Sequence, residues 1–146
     1  MEYKGLERRT CLRFDIPGST VSFKTKKMLF SQDKFEEEFC PLKDISRGGL
    51  RFLCQSLQKI NSKIILKLSI PGERIPLMIY GRVRWCSPQA GQSYKYQIGV
   101  QFNPYGEKKD QNYPGTLVKI IALEQKFSSE LPSNSKDCEE EFSTDG

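Results

Sequence analysis

The chain has 146 residues, with 23 Lys and Arg against 18 Asp and Glu, five cysteines and no histidine. A charged fraction of 28% beside a hydrophobic fraction of 37% is that of a globular protein, and no apolar run approaches the roughly 18 residues of a membrane span. Without histidine the usual acid–base dyads and common zinc sites are excluded, and five widely spaced cysteines with no C-x-x-C pair read as reduced thiols packed as small hydrophobes.

Charge is divided along the chain. Residues 1–127 carry 22 basic and 12 acidic side chains, a surplus of ten positive, whereas residues 128–146 carry one Lys against six acids. A basic body suggests an anionic partner, whether nucleotide, nucleic acid or membrane surface, and charge alone does not choose among them. The opening MEYKGLERRT has basic residues without an apolar run behind them, so it does not read as a secretory signal, and a cytoplasmic protein is expected. The sequence divides into a flexible N-terminal arm (1–7), a folded domain (8–127) and an acidic tail (128–146). That tail lacks the branched apolar residues needed to offset its ordering entropy and is expected to be disordered.

Taken in chain order, CLRFDI is a possible first strand and TVSFKT a second. The stretch Lys26–Cys40, KKMLFSQDKFEEEFC, fits either a long hairpin excursion or a short helix, and carboxylates beside Cys40 predict an unreactive thiol. LRFLC follows as a strand. In KIILKLSI the positions Ile64, Leu66, Leu68 and Ile70 share one face. In IPLMIYGRVRW the shared face holds Ile75, Leu77, Ile79, Val83 and Trp85, and in YKYQIGVQF it holds Tyr94, Tyr96, Ile98, Val100 and Phe102. PGER (Pro71–Arg74) and SPQAGQS (Ser87–Ser93) supply turns between them. One helix is expected from Tyr113 to Phe127, with Pro114 in its first turn and Leu117, Ile120, Ile121 and Phe127 as an apolar stripe closing one mouth of a barrel. Short strands with one apolar face and tight turns indicate a mainly all-β antiparallel barrel or sandwich.

Two polar clusters stand apart from this pattern. ERRTCLR places Arg8, Arg9 and Arg13 within six residues, where the guanidiniums repel one another unless an anion or a π-system sits among them. DISRGGL enters a strand through Asp44, Ser46, Gly48 and Gly49. A fixed carboxylate accepts from adjacent donors such as the N1–H and N2–H₂ edge of guanine, which adenine lacks. Ser46 adds a donor and an acceptor, and the glycines permit positive φ or close backbone approach. An arginine reaches guanine O6 and N7, the edge that the aspartate leaves free. Equally consistent is a plain turn in which Asp44 and Ser46 cap backbone amides.

RRTCLR followed some thirty residues later by DISRGGL resembles the bipartite signature of PilZ domains, R-x-x-x-R and then [D/N]-x-S-x-x-G. Arg9 and Arg13 match the first half, with Arg8 as an additional arginine; Asp44, Ser46 and Gly49 match the second. GRVRW and YQIGVQF are similar to later strands of the family, so the likeness runs from about Glu7 to Phe127. The resemblance implies a six-stranded antiparallel PilZ-type β-barrel with a C-terminal helix, no catalytic activity and no metal. It further implies a stand-alone receptor or adaptor whose arginine arm folds over cyclic di-GMP, held by Arg8, Arg9, Arg13, Asp44, Ser46, Gly48 and Gly49, with Arg8–Arg9 suiting an intercalated ligand pair. Signalling would pass to an effector protein that controls motility, secretion or exopolysaccharide, with no DNA binding or membrane insertion. In such domains Trp85 can flank the site, but its parity with Leu77 and Val83 assigns it to the core. Two alternatives are a single-stranded nucleic-acid-binding barrel, and a PilZ-like protein-interaction module that does not take the nucleotide.

Overall fold

The computed structural model describes residues 12–25 and 34–128. Six antiparallel strands, β1 (Thr20–Thr25), β2 (Glu37–Ile45), β3 (Gly49–Cys54), β4 (Lys63–Ser69), β5 (Leu77–Pro88) and β6 (Tyr96–Phe102), close into a barrel in the order β1-β2-β3-β6-β5-β4. Helix α1 (Pro114–Ser128) follows. Alternation accounts for the interior: Val21 and Phe23, Leu50 and Phe52, Ile64, Leu66 and Leu68, Ile79 and Val83, and Ile98 and Val100 all point inward and are buried. Phe23 and Phe52 meet at its centre with ring centroids 5.2 Å apart.

Pro71 and Gly72 make the β4–β5 turn, in which Glu73 N–H donates to Ile70 O at 2.9 Å and Gly72 sits at φ +89°, the left-handed position that a type II turn requires. Pro114 opens α1, where a missing N–H costs no helical bond. Ile120 and Leu123 of α1 join the barrel core. Two ion pairs tie the helix to turns at the same barrel end: Arg47 Nε to Glu124 at 2.8 Å and Lys119 to Glu73 at 2.7 Å. The Lys119 ammonium holds the Glu73 carboxyl below the usual carboxylate range, first by its hydrogen bond and then by its charge.

Three sequence expectations change. CLRFDI is not a barrel strand: within Leu12–Ile16, Phe14 alone forms a bridge, exchanging both backbone hydrogen bonds with Ile45 at 3.0 Å. The sixth strand is instead β2, hidden from periodicity because an extra residue enters the ladder twice. One bulge lies opposite Ser22, with Phe39 at φ +58° and its N–H donating to Ser22 Oγ at 3.0 Å; the other lies at Lys43–Asp44. The buried positions Cys40, Leu42 and Ile45 therefore do not alternate. Within Lys26–Cys40, residues 26–33 lie outside the described residues and Glu37–Cys40 belong to β2.

The third change is Trp85. A bulge between Val83 and Trp85 breaks the parity, so the indole emerges on the outer wall, 37% exposed, while Cys86 turns toward the core. Ile75 precedes β5 and is exposed, and Tyr94 precedes β6. Cys40 and Cys54 are free and buried. Burial first and the Glu37 carboxylate second push the Cys40 thiol upward, and the same causes push Cys54 up to about 12.

Candidate functional site

The bridge from Phe14 to Ile45 fixes where the arginine leader meets the barrel. Both side chains turn inward and are buried, so their neighbours Arg13 and Asp44 face outward together. Arg13 Nη1 donates to Asp44 Oδ1 at 3.3 Å. The second half-motif thus lies within reach of the leader at Arg13; Arg8 and Arg9 lie outside the described residues.

Asp44 has a further partner, which sequence reading missed. Arg51 stands opposite it across the β2–β3 ladder and grips the carboxylate with both nitrogens of its fork: Nε donates to Oδ1 at 2.9 Å and Nη2 donates to Oδ2. Alternation in LRFLC already turns Arg51 outward, but only the register reveals its partner. The row continues. Asp44, Arg51, Gly99 and Trp85 are successive partners across β2, β3, β6 and β5. A Cβ at Gly99 would lie 2.3 Å from Trp85 Cε2, so the indole rests on the bare backbone of Gly99 beside Arg51. The outer wall therefore presents an acceptor, two guanidiniums and an aromatic face in sequence.

Ser46 and the glycines serve the turn itself. Ser46 is buried; its Oγ accepts from Gly48 N–H at 3.3 Å and donates to Gly49 O at 3.4 Å, while its own N–H donates to Gly49 O at 2.8 Å. Gly49 is required by close approach, since a Cβ there would sit 2.3 Å from Val100 O of β6. Among the described residues the left-handed glycines are Gly18, Gly72 and Gly91, so Gly48 and Gly49 do not use positive φ. Gly48 contributes its carbonyl, which accepts from Phe102 N–H at 2.8 Å. Between Ser46 and Gly48, Arg47 ties the turn to α1 through Glu124, and its carbonyl accepts from Tyr105 Oη at 2.7 Å. Burial pushes the Tyr105 hydroxyl's pKa upward, which keeps it a donor.

A closed six-stranded barrel with a C-terminal helix, whose outer wall joins an arginine-bearing leader to an acidic bend, defines a class of small binding modules. The chain belongs to the PilZ domain family: the family model, described as PilZ domain, matches residues 7–117. Domains of this family are receptor and adaptor modules for cyclic di-GMP, generally non-enzymatic. Among solved structures the chain is similar to that described as the Bacillus subtilis inhibitor of motility (MotI/DgrA), with a TM-score of 0.54 and 15% identity over 77% of this chain and 47% of that chain. The likeness is one of fold, and this chain spans about half the length of that neighbour. No curated protein matches. Among the described residues no helix is long and apolar enough to cross a membrane.

Proposed function

We propose that the protein is a cyclic di-GMP receptor that responds to the messenger by rearranging its arginine leader and signals through a protein partner. The observation that carries this reading is the meeting of Arg13 with Asp44, the two half-motifs joined on one wall. A guanine edge offers a carboxylate two adjacent donors, much as a guanidinium fork does. The base therefore exchanges with Arg13, the more exposed and more distant of the two partners, while Arg51 retains its grip on Asp44. Released Arg13, with Arg8 and Arg9, turns to guanine O6 and N7 or to phosphate, and Trp85 offers a stacking face nearby. Two bound molecules, intercalated, would suit three arginines. On this reading residues 8–127 are the receptor domain, 1–7 its arm and 128–146 an appended acidic tail.

Calorimetry on the full chain is expected to give micromolar or tighter binding of cyclic di-GMP, lost in both Arg13→Ala and Asp44→Ala; unchanged affinity in either variant overturns the assigned roles. One observation favours a second reading, a PilZ-like module acting through protein contacts alone: both Asp44 oxygens already have guanidinium partners. A folded protein that takes up no cyclic di-GMP selects it. A steep loss of oligonucleotide affinity with salt would instead select a nucleic-acid binder.

A further inference from the structure

Across the ring of strands from Asp44, the wall made by β1, β4 and β5 carries a cleft of about 620 Å³, a size typical of small-molecule sites. Its floor is a cross-strand row, Lys24, Ile65 and Tyr80, with Tyr80 41% exposed. Its overhang is the segment 103–111 that follows β6. This overhang is fixed by Asn112, whose side chain is fully buried: Nδ2 donates to Tyr80 O and Asn103 O, both at 2.9 Å, and Oδ1 accepts from Tyr80 N–H at 2.7 Å. A backbone bond from Asn103 N–H to Tyr80 O at 2.9 Å adds to the clamp. The cleft is thus built into the fold.

The rim is cationic. Lys63 and Arg82 stand directly opposite each other across the β4–β5 ladder, an arrangement that disfavours the folded state unless something negative lies between. Lys109 adds a third charge from the overhang. Among the described residues none of the three pairs with a carboxylate, and Asp110 is the one acid lining the cleft. A basic strand face is ordinarily just solvated. Here, however, the like-charged pair borders a preformed concavity with an aromatic floor.

We infer that this cleft is a second ligand site, taking a phosphate-bearing small molecule with a planar ring, of the mononucleotide class. Phosphate is held by Lys63, Arg82 and Lys109, and the ring lies on Tyr80 and Ile65. This site is separate from the carboxylate wall, and adenine, which lacks guanine's paired donors, addresses it selectively.

The test is an amide NMR titration of the full chain with adenosine 5′-monophosphate, using ribose 5-phosphate as the ring-free control. Saturable shifts at Lys63–Ile65, Tyr80–Arg82 and Asn103 are expected, with the control about tenfold weaker or worse. The exposed variants Lys63→Gln and Arg82→Gln are each expected to weaken the mononucleotide about tenfold while leaving cyclic di-GMP binding unchanged. Any one of four results overturns the inference: no cleft shifts at millimolar ligand, shifts confined to Asp44–Arg51, equal affinity for the control, or tighter occupation by a glutamate-rich peptide. Failure of cyclic di-GMP binding alone leaves this inference standing, because the two sites report through different resonances.

Discussion

The two outer walls of the barrel share one apolar interior yet handle charge in opposite ways. On the β2–β3–β6–β5 wall a single carboxylate, Asp44, gathers Arg13 and Arg51. On the β1–β4–β5 wall Lys63 faces Arg82 with no carboxylate bonded to either among the described residues. On the proposed reading, binding on the first wall would be an exchange, in which a ligand replaces an existing charge-assisted bond and must match its donor geometry. Binding on the second would be an addition, drawn by charge that no described carboxylate offsets. Selectivity would belong to the exchange, and salt sensitivity to the addition.

The strongest way to break the first wall without touching its charges is Gly49→Ala. Its Cβ would collide with Val100 O, backbone rather than a yielding side chain, and so force β3 away from β6. A loss of about 3 kcal/mol is expected, read as a lower urea midpoint. The next effect comes from pH. The buried thiols of Cys40 and Cys54 belong to β2 and β3, strands behind the first wall. The folded pKa of Cys54, about 12, lies above its ordinary 9.0, so between these values the folded state holds a proton that the unfolded state has released. Stability therefore falls as pH rises above about 9, by about 1 kcal/mol per pH unit from Cys54. Cys54→Ala is expected to flatten that alkaline slope in urea titrations.

Smaller in stability, but decisive for the comparison, is Asp44→Ala. It leaves Arg51 and Arg13 facing each other without their acceptor, at a cost of about 1 kcal/mol after allowance for partial exposure, seen as a lower thermal midpoint. In 1 M salt that deficit is expected to shrink, whereas the steric loss in Gly49→Ala is not.

How much of this was legible in the sequence follows from what periodicity can carry. Strands β3, β4 and β6, the Pro71–Gly72 turn and the start of α1 at Pro114 were visible because each depends on near neighbours in the chain. Strand β2 was not, since its bulges break the alternation, leaving Cys40, Leu42 and Ile45 buried at unequal spacing around Pro41. One inserted residue likewise moved Trp85 from an expected core position to the outer wall. Asp44 was recognisable as part of a motif, but its grip by Arg51 depends on strand register, which local pattern does not encode. The overhang clamped by Asn112 joins residues 32 apart and left no trace in composition or spacing.

The smallest expected effect concerns the second wall and has the opposite sign. Lys63→Glu turns a like-charged cross-strand pair into an attractive one with Arg82, so the variant should be more stable by about 0.5 kcal/mol. A substitution that reverses an exposed charge at no benefit to packing would ordinarily change little. A gain that disappears in 1 M salt identifies repulsion between Lys63 and Arg82 as its source, because screening removes charge effects and leaves packing untouched. An unchanged melting temperature at low salt would mean that solvent already screens the pair. The first wall offers no such gain, since its carboxylate already satisfies the arginines around it.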